Sequence, residues 1–484
     1  MFLLNGLSAL VVVPLTVLFG LSNAWGDTGD DALAAFLSGN YPRAFQLAQP
    51  SAEAGSFLVQ FTLGRIYEEG KGAPQDKAKA EIWFKKALSQ AQPAAENGEP
   101  RAQFVLGRMY YGGWVLPKDD VKAVSWYRKA AERGFAPAQS NLGGMYENGL
   151  GVTKNLRQAV AWYRKAAEQG EAYGQTSLGV MYYNGKGVAQ NYAEAVAWYR
   201  KAVEQGDARA QFNLGVMYYK GEGITQDNAE AAALFRKAAE QGYAEAQSNL
   251  GAMYSRGQGV AKDEKTGLSW YRKAVDQGNA EAQFNLAMMY ANGHGVAKDE
   301  REAVAWFRKA AGQGSALAQS HLGLAYQQGQ GVTQNYNEAV AWYRKAAEQG
   351  LADAQFSLGE MYFQGEGVGK DYKEAMIWFR KAAEQGEDAA QFSLGAMYQN
   401  GLGVAKNYEE AIIWYRKSAE QGDAEAQDVL GSMYLDGKGV AKDRKEAIAW
   451  FRKAAEQGND EAKQMLDMIA AECTSSAILA IFSA

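Results

Sequence analysis

The chain has 484 residues, 47% of them hydrophobic and 22% charged, with 50 basic against 55 acidic side chains. That apolar share suffices for a substantial core, which excludes wholesale disorder; a net charge of -5 without a polycationic run excludes nucleic acid as the main partner. One cysteine, Cys473, excludes a disulfide framework or cysteine-built zinc site, and two histidines, His294 and His321, are too few for a histidine-rich metal centre.

The chain opens on an apolar stretch, Leu7 to Leu21, followed by Ser22-Asn23-Ala24 and the acidic run Trp25 to Asp31. Small residues at that spacing predict a secretory signal peptide over 1–24. The n-region lacks Lys and Arg, and the alternative is an uncleaved anchor, since the run approaches the minimum for crossing a bilayer. Export with a single cysteine fits a bacterial periplasm or a secreted protein.

Length alone suggests about three domains, but self-comparison replaces that count with one repeated unit. Glutamines recur 36 residues apart from Gln103 through Gln139, Gln175 and onward to Gln427, and an earlier copy at Gln60 precedes Gln103 by 43. The difference is a seven-residue insertion near 88–94. The division predicted is an N-terminal cap and partial repeat over 25–55, eleven repeats over 56–460, and a C-terminal capping helix and apolar tail over 461–484. Each unit reads as two antiparallel helices. Ala138, Leu142, Met145 and Tyr146 share one face of the first, which Gly149 ends. The second starts at Asp or Asn in all eleven units, with Glu or Gln three residues on in eight of them, the pattern of a capping box. Gly143 and its equivalents let the two helices approach closely, Ala287 being the nearest substitute. No single unit can bury both apolar faces, so the units must stack.

These residues resemble a known family. Ala-x-x-x-Leu-Gly-x-x-Tyr, then Gly-x-Gly-Val, then Ala-x-x-Trp-Tyr-x-x-Ala-Ala-Glu-Gln-Gly is similar to the Sel-one-like repeat, a relative of the tetratricopeptide repeat, over more than nine tenths of the chain. The resemblance implies an all-α, right-handed superhelical solenoid of antiparallel helix pairs. It also implies a non-enzymatic adaptor, since similar proteins serve in quality control, envelope signalling, secretion and host interaction. A cysteine-rich branch is linked to penicillin binding and β-lactamase activity. The lone Cys473 and the absence of any Ser-x-x-Lys leave that hydrolase reading as an alternative, beside a membrane-anchored assembly factor.

The recurring tryptophans, Trp83 through Trp450, are expected in the core, with Trp306→Ala costing about 3–5 kcal/mol. The Gly-rich loops are interhelix turns, and the two histidines are expected at the surface. The positions that vary carry the partner reading. By the resemblance, the first helices line a concave face, and positions +1, +5 and +8 from each Gln share one side of a helix. They place Phe104, Arg108 and Tyr111; Tyr183; Phe212 and Tyr219; Phe284 and Met288; Phe356, Glu360 and Phe363; and Phe392 along one stripe. Such an apolar, aromatic stripe suggests a groove for a protein or peptide, with Arg108, Glu147, Lys220, Arg256 and Glu360 adding polar selectivity. The competing reading is that each +1 Phe packs against the neighbouring unit. The chain is expected to be monomeric, to take no metal or cofactor, and to leave the membrane once the leader is removed.

Overall fold

In a computed structural model of the protein, residues 32, 36, 41–53 and 57–482 are described. The predicted leader over 1–24 lies outside them, as does most of the predicted cap over 25–55. All described secondary structure is helical, twenty-four helices from Tyr41–Glu53 to Asp460–Phe482. From Phe57 onward they pair as expected, typically 13 residues each, such as Ala136–Asn148 with Leu156–Glu168. The insertion is absorbed in one second helix, Lys77–Glu96, which has 20 residues against 13 for its counterpart Asp120–Glu132. The contacts divide the chain into an N-terminal unit ending at Asn279 and a C-terminal unit starting at Ala280.

Local sequence explains each boundary. First helices end on a glycine in the left-handed conformation, as at Gly149 (φ 72°), whose N–H bonds the Met145 carbonyl at 2.9 Å. Second helices begin at the predicted Asp or Asn, whose side chain accepts from the N–H groups of the first turn: Asn155 from Gln158, Asp371 from Lys373 and Glu374. The reciprocal arm of the expected capping box has no donor left. In all eleven units the backbone N–H of the cap bonds the carbonyl of the tyrosine nine residues earlier, at 2.8–3.0 Å. The cap thus ties the second helix to the first.

The tryptophans depart from expectation. The residue after each one fills the core: Tyr127, Tyr163, Tyr199, Tyr343, Phe379 and Phe451 are almost fully buried, as is Phe235 after Leu234. Each lies against the conserved glycine position of its partner helix, so that a Cβ at Gly143 would sit 2.8 Å from the Tyr163 ring. Neighbouring residues on a helix point about 100° apart, so the tryptophan turns outward. Eight of the ten are half-buried, Trp414 and Trp450 being the buried ones. On every one lies the ammonium of the lysine three residues on, 3.7–4.3 Å from a ring centroid. The cost expected for Trp306→Ala is therefore lower than for a core aromatic, about 1–2 kcal/mol.

The periodic glutamines are the stitches between units. All eleven are buried, and in nine of them Nε2 donates at 2.9–3.3 Å to an alanine carbonyl at the end of the preceding second helix, as in Gln355 to Ala347. The Oε1 accepts from the glutamine that ends the same unit's second helix at 2.6–2.9 Å, as from Gln385. Where Arg133 replaces that second glutamine, Gln103 Oε1 has no hydrogen-bond partner among the described residues. Gln355→Leu removes both side-chain bonds of the stitch, although the Ala347 carbonyl keeps the Gly350 N–H and the Gln385 amide keeps the Lys381 carbonyl. The urea midpoint should fall by the equivalent of about 1–3 kcal/mol; an unchanged midpoint would show that the stitch carries no net stability.

Candidate functional site

The two units present their first helices differently. In the N-terminal unit the +1 and +5 side chains are interior apart from half-buried Val180: Phe104, Arg108 and Phe212 are all buried. Aromatic residues at the entry to the following first helix cover the rings. Phe104 meets Phe135 at 5.3 Å and Phe212 meets Tyr243 at 5.2 Å, so for these two the neighbour-packing reading holds and the groove reading does not. At two units where +1 is small and polar, an acid takes the aromatic's place: Ser140 Oγ donates to Glu171, and Thr176 Oγ1 to Asp207 at 3.1 Å.

Arg108 is enclosed near Trp114, with its guanidinium 5.8 Å from that ring, and burial plus nearby Arg65 lower its pKa to about 10. Arg65 pairs with Glu69 and also stacks on Trp114. Trp114 and Val115 stand where later loops carry a varied residue and then glycine, as in Leu150-Gly151, and Val115 takes the left-handed backbone (φ 52°) that glycine holds elsewhere. Tyr111, Tyr183 and Tyr219 at +8 are half-buried. The Tyr183 hydroxyl donates to Glu222 at 2.6 Å and accepts from Lys220 at 3.3 Å, while Glu147 accepts from Tyr163 at 2.8 Å. Polar groups expected to face a partner are thus partly spent inside the fold.

Glu171 carries a pH dependence. Burial pushes its carboxyl up to about 7, against the bonds from Ser140 and from the N–H groups of Gly174 and Tyr173 that favour the anion. Its folded pKa exceeds the unfolded value of about 4.3, so its contribution is full below that value and lost as pH rises through about 7. Wild type should lose on the order of 1–3 kcal/mol between about pH 5 and 8, and Glu171→Gln should lose less. Parallel pH profiles of the urea midpoint for the two proteins would refute this assignment.

In the C-terminal unit the stripe opens. Phe284 is still buried, enclosed by His321, which also stacks on Phe307 at 5.3 Å and 7°. His321 is therefore a packed side chain with its pKa lowered by burial rather than the surface residue expected; His294 is exposed in its loop. Met288, Phe356, Glu360 and Phe392 at +1 and +5 are half-buried rather than buried, as is Phe363 at +8, and Leu324 at +5 is 36% exposed. The caps that follow Phe356 and Phe392 are Glu387 and Asp423, which accept from helix N–H groups and carry no ring to cover the phenylalanines. Phe356 and Phe363 both rest on Phe379, at 5.6 and 6.4 Å, so a buried ring props the half-buried pair. Among the described residues no group of three or more His, Cys, Asp or Glu could hold a metal ion, and no helix is long and apolar enough to cross a membrane.

Stacked helix pairs with a partly open aromatic stripe define the class: a helical-repeat scaffold of the protein-interaction type. The Sel1 repeat model matches twelve segments, from 29–56 and 59–91 through 100–135 to 424–459, so the chain belongs to the Sel1 repeat family. The family match counts residues 29–56, read from sequence as a partial unit, as a repeat. Among solved structures, a protective antigen of uropathogenic Escherichia coli displaying an SLR fold is 40% identical, over 88% of this chain and 90% of that one, with a TM-score of 0.65. A Sel1 repeat protein from Oxalobacter formigenes is 37% identical over 64% of this chain and 89% of that one, with a TM-score of 0.49. No curated protein matches significantly.

Proposed function

We propose that the protein is a non-enzymatic, exported adaptor that holds a protein or peptide segment on the first-helix face of its C-terminal unit. The observation that carries this reading is the row of partly accessible apolar side chains, exposed Leu324 with half-buried Met288, Phe356, Phe363 and Phe392, broken by Glu360. Monomeric folds rarely leave contiguous apolar surface uncovered without a use for it. The two open phenylalanines held on Phe379 resemble the rigid aromatic anchors on which binding energy concentrates. The predicted leader over 1–24 supports an exported location, and Trp25 is then the expected mature N-terminus.

Photo-crosslinking in intact cells tests the reading, with the crosslinker at Phe363 and a control at Glu348, an exposed residue on a second helix. A discrete adduct from Phe363 alone, lost in Phe356→Ala, is expected. Equal adducts from both positions, or none from Phe363, would put the groove elsewhere.

A further inference from the structure

The five first helices of the C-terminal unit that share the 13-residue repeat pattern, from Ala280–Asn292 to Ala424–Asp436, contain seven carboxylates and no Lys or Arg. The six of the N-terminal unit, from Phe57–Glu69 to Ala244–Arg256, contain six Lys or Arg and four carboxylates. Second helices carry a basic pair throughout, Lys85-Lys86 in the first and Arg-Lys in the other ten, so the asymmetry is confined to the first-helix faces.

Several of these acids stand among the open apolar side chains. Glu360 occupies +5 between Phe356 and Phe363, and Asp428 occupies the +1 place that Phe356 and Phe392 hold in the preceding units. Both are half-buried, and Asp428 Oδ1 is enclosed without a hydrogen-bond partner among the described residues. Their charged neighbours are of like sign, Glu366 beside Glu360 and Glu461 beside Asp428. Lys438 is spent on Asp436, at 2.8 Å. Burial and these neighbours hold the Glu360 and Asp428 carboxyls above the usual range, a cost that an incoming cation would offset.

We infer that the C-terminal unit selects an extended peptide segment in which Lys or Arg alternates with apolar side chains. This rests on the adaptor reading above and specifies its partner. Charge complementarity names the sign: an acidic peptide, a nucleic acid or an anionic lipid surface meets repulsion here. Spacing agrees with an extended chain. Side chains on one face of a strand recur about every 6.8 Å, close to the roughly 6 Å that separates Phe356 from Glu360 along a helix axis.

The test is selection of a random peptide phage library on the immobilised full chain, with subtraction on a blank surface, followed by affinity measurement on the selected peptides. Peptides enriched in Lys and Arg with apolar residues are expected. Their binding should weaken with salt and fall roughly tenfold or more in Glu360→Lys with Asp428→Lys. Glu348→Lys should leave it unchanged, and the milder Glu360→Gln with Asp428→Asn guards against a folding defect. Peptides without charge bias, or acidic ones, overturn the inference and leave the adaptor reading standing. Cationic peptides indifferent to Glu360 and Asp428 also overturn it. No peptide retained above the blank overturns both.

Discussion

Replacing Phe379 by Ala should lower stability by about 3–5 kcal/mol, whereas Trp378→Ala, one residue earlier, should cost about 1–2. Phe379 is fully buried, and its ring lies where a Cβ on Gly359 would come within 2.6 Å. Removing it opens a cavity that neither helix can close, because the pair is already held at the distance the glycine sets. Trp378 is half-buried beneath Lys381, whose ammonium is 3.9 Å from the ring centroid, so truncation there mostly loses a surface contact. Urea unfolding of the two variants separates the cases; equal losses would place the tryptophan in the core after all. In a stacked array each unit contributes its own stability and its contacts with neighbours. The Phe379 defect should therefore also appear as faster amide exchange around residues 352–384, and it should loosen Phe356 and Phe363, which rest on that ring.

The second large effect is expected at the loops. Gly331→Ala should cost about 2–4 kcal/mol, and Gly329→Ala, two residues earlier in the same loop, about 1. Both glycines have left-handed backbones, with φ of 68° and 72°. A Cβ at Gly329 would meet Gln334 Cβ at 3.3 Å and its backbone N at 3.5 Å, whereas at Gly331 it would lie 2.1 Å from the backbone carbonyl of Glu300, at the start of the preceding unit's second helix. A shift of a few tenths of an ångström relieves the first contact; a helix backbone in the second must move much further, and the contact between units moves with it. Thermal unfolding of the two variants checks this, and a Gly331→Ala as mild as Gly329→Ala would show that the units slide freely at the loop.

Much of this was legible in the chain. Gln recurring every 36 residues, a glycine after each first helix and Asp or Asn before each second helix are local signals, read by the backbone within a few residues. They give the helix ends, the number of paired units and the family. The same letters could not say which of two adjacent aromatics faces inward, because Trp and Tyr both satisfy an apolar position and only the partner glycine chooses between them. Nor could they show that the marker glutamine joins three helices, since its two bonds reach residues 8 back and 30 ahead in sequence.

The candidate stripe was half legible for the same reason. Spacing placed Phe104, Arg108, Phe212, Phe284, Phe356 and Phe392 on one helix side, and helical geometry alone guarantees that. Whether a residue on that side meets water depends on what the next unit sets over it. Phe135, Tyr243 and His321 cover three of these rings, while Glu387 and Asp423 leave two half-open. The sequence by itself determined the helices, their caps, their repeat and the charge carried by each first helix, because those follow from neighbours within a turn or two. Exposure belongs to the tertiary structure, since it is set by side chains some thirty residues away whose size and polarity vary from one unit to the next.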